Sequence, residues 1–266
     1  MGTRPFLLLA LTLNPLLADP GFPFYTPDSI ANSAANVAGF YAPNSFISIY
    51  GVNLAYVTKP ISTDDIRDGQ LPTALAGTGV RVLIIPGSAQ GGIFADIYYV
   101  SPGQVNALIP SSLIPGPAIV QLINNGLAGP PVTITLSASA PVLFQAEGAT
   151  VIATHGNGPF VTMTQPAQGG EVVVLYATGL GATLPAAIPN QIPPSAAWIV
   201  DRADFRVVLN GKDVDSANIQ YAGVTPGFAG LFQINLLLPA DAPPNPQIQI
   251  GYGDQLSPAG LTLPLQ

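Results

Sequence analysis

The chain of 266 residues contains no cysteine and a single histidine, His155. Without thiols no disulfide can cross-link the fold. A zinc site draws on histidine and cysteine, and a serine hydrolase needs a histidine beside its nucleophile, so either would depend on His155. No Gly-x-Ser-x-Gly segment is present. We therefore predict no catalytic residues, no metal and no cofactor, interpret His155 as a loop residue, and keep a hydrolase as a remote alternative.

Charge is also scarce, at 8% of residues against about 25% in a typical soluble domain. Fourteen acidic and seven basic residues give a net charge of −7, and the basic residues do not cluster. A protein that binds nucleic acid needs a basic stripe to neutralise phosphates, so the sequence excludes a nucleic-acid partner. A weakly charged surface repels its own copies little, which favours self-association or attachment.

No apolar run is long enough to span a bilayer, so we predict no membrane span. The stretch Phe6–Leu17 follows one basic residue, Arg4, and precedes Ala18-Asp19-Pro20. This order is typical of a secretory leader with a cleavage site after a small residue. It predicts a signal peptide over residues 1–18 and a secreted, extracellular or cell-surface location. A buried strand or helix in that stretch is the alternative.

Glycine (28 residues) and proline (29 residues) are abundant, and short apolar stretches lie between them with no sustained helical period. This pattern is typical of a β-sandwich. Hairpin turns are predicted at Asn124–Gly126, Asn210–Gly211 and Gly251–Gly253, and one helical turn near Ser62–Arg67. The predicted strands are Phe46–Tyr50, Val80–Ile85, Ile93–Val100, Val105–Ile109, Ala118–Ile123, Val132–Leu136, Glu171–Tyr176, Phe205–Leu209, Asn218–Tyr221, Leu231–Leu238, Gln247–Ile250 and Leu261–Leu265.

Three landmarks recur in the same order, offset by about 125–129 residues, which indicates duplication of one domain. The sequence therefore predicts an all-β fold of two tandem immunoglobulin-like β-sandwiches. The predicted bounds are 19–41 for an N-terminal extension, 42–138 for the first sandwich and 139–266 for the second. The paired landmarks are Phe46–Leu54 with Val172–Leu180, Val80–Val82 with Phe205–Val207, and Gln104–Pro110 with Gln233–Pro239.

The third landmark holds an asparagine in both copies, Asn106 and Asn235. The strand Gln-x-Asn-x-x-x-Pro stops at its proline because a ladder cannot continue through it. We predict that both asparagines hydrogen-bond backbone groups where the strand turns into a loop, and we do not assign them a ligand.

Five segments, among them Ala42–Ala55 and Gly170–Gly181, together resemble an uncharacterised domain family that is abundant at the C-termini of secreted acidobacterial (Solibacter-type) proteins. The two copies also resemble IPT/TIG immunoglobulin-like domains, in which a strand runs into a Gly-x-Asn-Leu turn as at Gly51–Leu54; the second copy departs with Ala177–Leu180. The resemblance covers about residues 28–266 and implies a fold and an extracellular location, with no catalytic residues to transfer. The segments are Ala42–Ala55, Leu71–Gly77, Tyr99–Asn106, Gly170–Gly181 and Tyr221–Asn235.

Two groups of aspartates, Asp64/Asp65/Asp68 and Asp213/Asp215, supply the oxygen ligands that calcium prefers. Neither matches an EF-hand loop, and pairing with Arg67 or Lys212 explains them as solvated loop charge, so calcium stays an open alternative.

The segment Gly179-Leu-Gly181 after a strand resembles a dinucleotide turn. We exclude nucleotide binding because the proline-rich sequence that follows cannot form the required helix.

The leading hypothesis is a secreted, non-catalytic structural or adhesive protein of the cell surface or extracellular matrix. In its specific form the chain is a filament subunit, and Phe22, Phe24 and Tyr25 form an assembly segment along the sheet edge of a neighbouring copy. The alternative is an extracellular carbohydrate- or protein-binding module in which Trp198 contacts the ligand. The partner is accordingly a protein (another copy or a cell-surface molecule) or a polysaccharide.

Overall fold

A computed structural model describes residues 21–77, 79–87 and 91–266. Within these ranges the regular structure is β-strand apart from four single-turn 3-10 helices, Pro27–Ser29, Thr63–Asp65, Glu147–Ala149 and Ser216–Asn218. The second of these confirms the helical turn predicted near Ser62–Arg67, and Ser62 occupies its N-cap. No helix in the described part of the chain is long and apolar enough to cross a membrane. The predicted signal peptide, residues 1–18, lies outside the described residues.

Ten strands build the described part of the first half of the chain. They form a five-stranded sheet (sheet 1, order β1-β2-β7-β6-β3) and a second sheet (sheet 2, order β10-β8-β4-β5, with β9 against β8). All pairs are antiparallel. The strands are β1 (Ile30–Asn32), β2 (Phe46–Tyr50), β3 (Lys59–Pro60), β4 (Val80–Pro86), β5 (Ile93–Phe94), β6 (Asp96–Val100), β7 (Gln104–Leu108), β8 (Gly116–Asn124), β9 (Leu127–Ala128) and β10 (Val132–Leu136).

Eleven strands build the second half. Sheet 3 has the order β11-β13-β19-β18-β15-β14, with β12 against β13, and sheet 4 has the order β17-β16-β20-β21. The strands are β11 (Val142–Leu143), β12 (Ala153–His155), β13 (Val172–Thr178), β14 (Thr183–Leu184), β15 (Ala197–Ile199), β16 (Phe205–Leu209), β17 (Lys212–Asp213), β18 (Ile219–Val224), β19 (Phe232–Leu237), β20 (Ile248–Tyr252) and β21 (Gln255–Leu256).

Each half closes its own core between its two sheets, because in several long strands alternate residues are apolar and point inward. In β10 the burial alternates residue by residue, and β4 and β8 do the same. One buried cluster joins sheets 1 and 2, and a separate one joins sheets 3 and 4. The prediction of two tandem immunoglobulin-like sandwiches is confirmed.

The duplication is visible in the pairing of the strands. The central pair β2–β7 of sheet 1 sets Ser48 opposite Asn106, and the equivalent pair β13–β19 of sheet 3 sets Val174 opposite Asn235. In both halves the chain after the first strand of the central pair joins the far edge of the same sheet (β3, or β14 and β15) and then crosses to the other sheet at β4 or β16.

Asparagine–glycine turns close two of the predicted hairpins. Asn125 and Gly126 have φ of 47° and 85°, and Asn210 and Gly211 have φ of 49° and 78°. Positive φ at both central residues matches the twist of the flanking strands, which explains why this dipeptide was a reliable signal.

The predicted strand Ile93–Val100 is divided at Ala95 into β5 of sheet 2 and β6 of sheet 1. Two further regions differ from the sequence-based expectation. The segment Leu261–Leu265 is not a strand; its pairing is limited to isolated bridges at Thr262 and Leu265. The other region is the predicted extension 19–41, which contains β1 and therefore contributes to sheet 1. Tyr25, Ile30 and Tyr41 lie in the first core.

Candidate functional site

The two sandwiches meet in a small apolar cluster of their own. Leu71 and Leu108 of the first sandwich and Ala229 of the second are buried there. The ring of Phe46 packs edge-on against Tyr98, with 4.9 Å between centroids, and covers the cluster. Apolar area removed from water at this junction favours the joined arrangement of the sandwiches.

Gly230 permits this close approach. A Cβ at this position would overlap the side chains of Leu108 and Phe46, and the residue has φ of +75°, where side chains other than hydrogen are strained. The neighbouring hydroxyl of Thr178 donates to the Gly230 carbonyl at 2.9 Å and accepts from the Phe46 amide at 3.2 Å. The second sandwich is thus tied to strand β2 of the first.

A proline-rich segment, residues 185–195, crosses from the second sandwich to the first. The Leu71 amide donates to the Asn190 carbonyl at 2.8 Å, and the Ile192 amide donates to the Gly69 carbonyl at 2.9 Å. Gln70 and Gln191 form an antiparallel bridge between these bonds. Backbone pairing therefore fixes this segment against a loop that lies more than 100 residues earlier in the sequence.

A cavity of about 290 Å³ lies between the sandwiches under the proline-rich segment. Its walls are mainly apolar. No lysine, arginine or histidine is among the described residues that line it. The polar residues that line it are Asn44, Asp96, Ser111, Thr183, Asn190, Gln191 and Ser195. A cavity at a domain interface, apolar with a few converging polar groups, is the usual form of a small-molecule site.

Among the described residues that line this cavity, Asp96 is the one that carries a charge. It begins strand β6 and is only 2% exposed. Burial raises the pKa of its carboxyl to about 6, and the hydrogen bond that Asn190 Nδ2 donates to Oδ1 lowers it in part. Burial also raises the pKa of Tyr98, and the nearby charge of Asp96 adds to that effect.

Sequence analysis missed this site. Asp96 stands in the predicted strand Ile93–Val100, where the other residues are apolar or aromatic. A lone carboxylate within such a strand is the signal that points to it, because aspartate is rarely buried without a partner. Its partner Asn190 lies 94 residues further along the chain, in a segment with no readable periodicity.

Trp198, the predicted ligand contact, lies in β15 and is 37% exposed. The guanidinium of Arg202 sits 4.7 Å from its ring centroid, and the ring of Tyr221 packs edge-on at the same distance. Arg202 thus covers one face of the indole. On the sheet Trp198 lies opposite Gly223, where a Cβ would collide with the Tyr221 hydroxyl, so the glycine makes room for the aromatic pair.

The predicted assembly segment divides into two parts. Phe22 and Phe24 are exposed, at 66% and 61%. The backbone of Phe24 exchanges two hydrogen bonds of 3.0 Å with Val52 of its own sandwich. Tyr25 is 2% exposed, and its hydroxyl accepts a hydrogen bond of 2.7 Å from the Leu122 amide. Tyr25 therefore fills the core of its own sandwich and is not available to a neighbouring copy.

His155 ends strand β12 and faces two acceptors. Its Nδ1 lies 2.6 Å from Glu171 Oε1, and its Nε2 lies 3.3 Å from the Gln165 carbonyl oxygen. Both ring nitrogens are therefore placed to donate, and no hydroxyl is among the hydrogen-bond partners of His155 within the described residues. The arrangement links two loops and does not resemble a nucleophile–base pair.

Asp65 of the first aspartate group and both members of the second are engaged locally, with partners other than the predicted Arg67 and Lys212. Asp65 pairs with Lys59, and Asp213 Oδ1 lies 2.8 Å from Arg206 Nε. Asp215 accepts from the Ala217 amide at 2.9 Å and caps a 3-10 helix. In residues 21–77, 79–87 and 91–266, no three histidine, aspartate or glutamate side chains gather as a metal site would require.

The prediction for the paired asparagines was wrong. Asn106 Oδ1 accepts from Gln104 Nε2 at 2.8 Å and from Ser48 Oγ at 3.1 Å. Asn235 Oδ1 accepts from Gln233 Nε2 at 3.1 Å. Residues two apart on a strand share a face, so the two amides bond along the outer face of the central strands and not to backbone at a corner.

No family model matches the chain, and no curated protein matches it. Among solved structures it is similar to the surface glycan-binding protein SGBP-B of a Bacteroides uniformis xyloglucan utilization locus (12% identity, 91% of this chain and 49% of that one, TM-score 0.27). It is also similar to SGBP-B of the Bacteroides ovatus mixed-linkage glucan locus (12%, 95% and 44%, TM-score 0.34). A third is the Escherichia coli adhesin FdeC (12%, 92% and 65%, TM-score 0.25). The chain spans less than half the length of these two glycan-binding proteins, and the likeness extends to the fold alone.

Proposed function

We propose that the chain is a secreted, non-catalytic structural or adhesive protein of the cell surface or extracellular matrix. The observation that supports this most is the junction, where buried apolar side chains and paired backbone join the two sandwiches into one unit. Domains connected by small polar interfaces move relative to one another. A joined pair instead holds its outer faces in a fixed relation, which suits a protein that attaches or assembles.

The finer form of the proposal is self-association through a patch of Phe22, Phe24 and Val52. All three side chains are exposed, Val52 at 56%, and the Phe24–Val52 bridge holds the two segments together. Exposed apolar groups that lie together commonly mark an interaction site. With a net charge of only −7 on 266 residues, little repulsion opposes contact between copies.

The test is the assembly state of the purified full chain, measured by sedimentation velocity and negative-stain imaging. We expect oligomers or filaments that the double variant Phe22→Ser/Phe24→Ser disrupts, because it removes the patch and leaves Tyr25 in the core. Phe160→Ser is the matched control, since Phe160 is equally exposed at 62% in the second sandwich. A wild-type chain that stays monomeric at high concentration, or assembly that survives the double variant, would refute this form.

A polysaccharide ligand is the second candidate, and the outer face of sheet 3 favours it. Tyr176 lies opposite Gln233, Gln233 opposite Gly223, and Gly223 opposite Trp198. Amide groups between aromatic rings on one open face can meet both the hydroxyls and the C–H faces of sugars. Sedimentation with insoluble glycans tests it: Trp198→Ala should abolish retention, whereas Phe160→Ala should not, and retention by both variants would reject the candidate.

The proposal also includes an assignment of the chain to a family. We place the chain in the uncharacterised family of secreted acidobacterial domains with IPT/TIG-like repeats, on the five segments that resemble it. What supports this is that the resembling segments contain β2 and β13 in full and the beginnings of their partners β7 and β19. An alignment of homologues in which Gly230 and the Gln-x-Asn strands varied freely would argue against the assignment.

A further inference from the structure

The carboxylate of Asp96 is buried and faces the cavity, and it has no charged partner among the described residues. Asn190 supplies one hydrogen bond, to Oδ1, and no described residue donates a hydrogen bond to Oδ2. No ion pair among the described residues includes Asp96. Buried charges in proteins are normally paired, because an unpaired one loses its hydration without compensation. Oδ2 is therefore free to accept hydrogen bonds from a ligand that enters the cavity.

The surroundings of Asp96 define the chemistry of that ligand. The carboxylate needs a positive charge with N–H donors, and the walls contributed by Pro185, Ile188 and Ile192 need an apolar body. At about 290 Å³ the cavity lies just below the 300–1,000 Å³ of typical ligand pockets, which favours a small molecule. A divalent metal fits poorly, since it seeks several oxygen ligands with more than one carboxylate.

We propose that the cavity between the sandwiches binds a small primary aliphatic amine, whose ammonium group donates to Asp96 and whose alkyl chain lies against the proline-rich segment. The net charge of −7 attracts cations to the protein in general, and the buried carboxylate selects among them. This ligand site is additional to the adhesive role and does not depend on it. Because residues of both sandwiches line the cavity, a bound amine also stabilises the junction.

The experiment is isothermal titration of the full chain with hexylammonium chloride at pH 8, above the pKa of Asp96. Two probes serve as controls: 1-hexanol keeps the apolar chain without the charge, and hexyltrimethylammonium keeps the charge without the N–H donors. We expect hexylammonium to bind at least tenfold more tightly than either. Equal binding of the alcohol would overturn the proposal, as would a stronger, Asp96-dependent response to calcium chloride.

Two variants locate the binding. Asp96→Asn should weaken hexylammonium at least tenfold, whereas Asp254→Asn, the same change at an exposed position, should leave it unaltered. Ala186→Phe should also weaken it at least tenfold, because Ala186 is exposed at the cavity and a larger ring there blocks entry without touching Asp96. If Asp96→Asn fails to fold by circular dichroism, Ala186→Phe decides. Unchanged affinity in that variant would place the amine elsewhere and refute the proposal.

Discussion

Replacing Asp96 by asparagine measures how much the ionised, buried carboxylate lowers the free energy of unfolding. Asparagine has nearly the same shape and keeps the oxygen that accepts from Asn190. Burial raises the pKa of Asp96 from 3.8 to about 6. At about 1.4 kcal/mol per tenfold change in proton affinity, this difference corresponds to ~3 kcal/mol of stability lost when the carboxyl is fully ionised.

The sign of the effect fixes its pH range. The folded state holds the proton more tightly than the unfolded state, so the wild-type protein loses stability as the pH rises from about 4 to about 6. Near pH 4 the carboxyl is protonated in the folded state and only partly ionised in the unfolded state, so the cost is small there and vanishes at lower pH. We therefore expect Asp96→Asn to match the wild type near pH 4 and to be more stable by up to ~3 kcal/mol at pH 8.

Urea denaturation followed by far-UV circular dichroism at pH 4, 5, 6, 7 and 8 tests this expectation. Tyr98 is the other titratable group beside Asp96, and burial raises its pKa, so it stays neutral throughout. Asp254→Asn is the matched control and should follow the wild-type profile. Parallel profiles for Asp96→Asn and the wild type would refute the reasoning, because they would mean that the carboxylate is not desolvated.

Three further outcomes are expected. Tyr25→Ala should lower the free energy of unfolding in urea by about 3–5 kcal/mol, because it removes a buried aromatic ring, whereas Phe22→Ser should change it by less than about 0.5 kcal/mol. Gly230→Ala should loosen the junction, because the new Cβ meets Leu108, and small-angle scattering should show a longer particle. Export from a bacterial host followed by N-terminal sequencing should show cleavage after Ala18; an uncleaved chain would contradict the leader.

Strands whose alternation is set by their own sequence were predictable. Phe46–Tyr50, Val132–Leu136 and Phe205–Leu209 have the predicted bounds to the residue. In these strands apolar residues recur on one face and turn residues bound them, so local pattern and tertiary burial agree.

Short elements depend on partners that are distant in sequence. Strand β1 has three residues, and β15 has three around Trp198, too few to show a period. Their pairing arises because a neighbouring strand edge is available. Leu261–Leu265 shows the opposite case, since its alternation predicts a strand but the edges it meets support only isolated bridges.

The candidate site was beyond sequence analysis for the same reason. The carboxylate of Asp96 is buried and accepts its one hydrogen bond because residues 185–195 fold over it. That segment is fixed by backbone pairing with Gln70 and Leu71. Prolines in that segment predict an irregular path but not its destination.

The junction joins surfaces that are not equivalent in the duplicated unit. The first sandwich contributes Phe46 and Leu108 from strand ends, whereas the second contributes the loop at Ala229 and Gly230. A contact of this head-to-tail kind has polarity. Repeated between separate chains in one direction, it generates a closed ring or an open helix, and it gives a two-fold symmetric pair only when two chains exchange their sandwiches reciprocally.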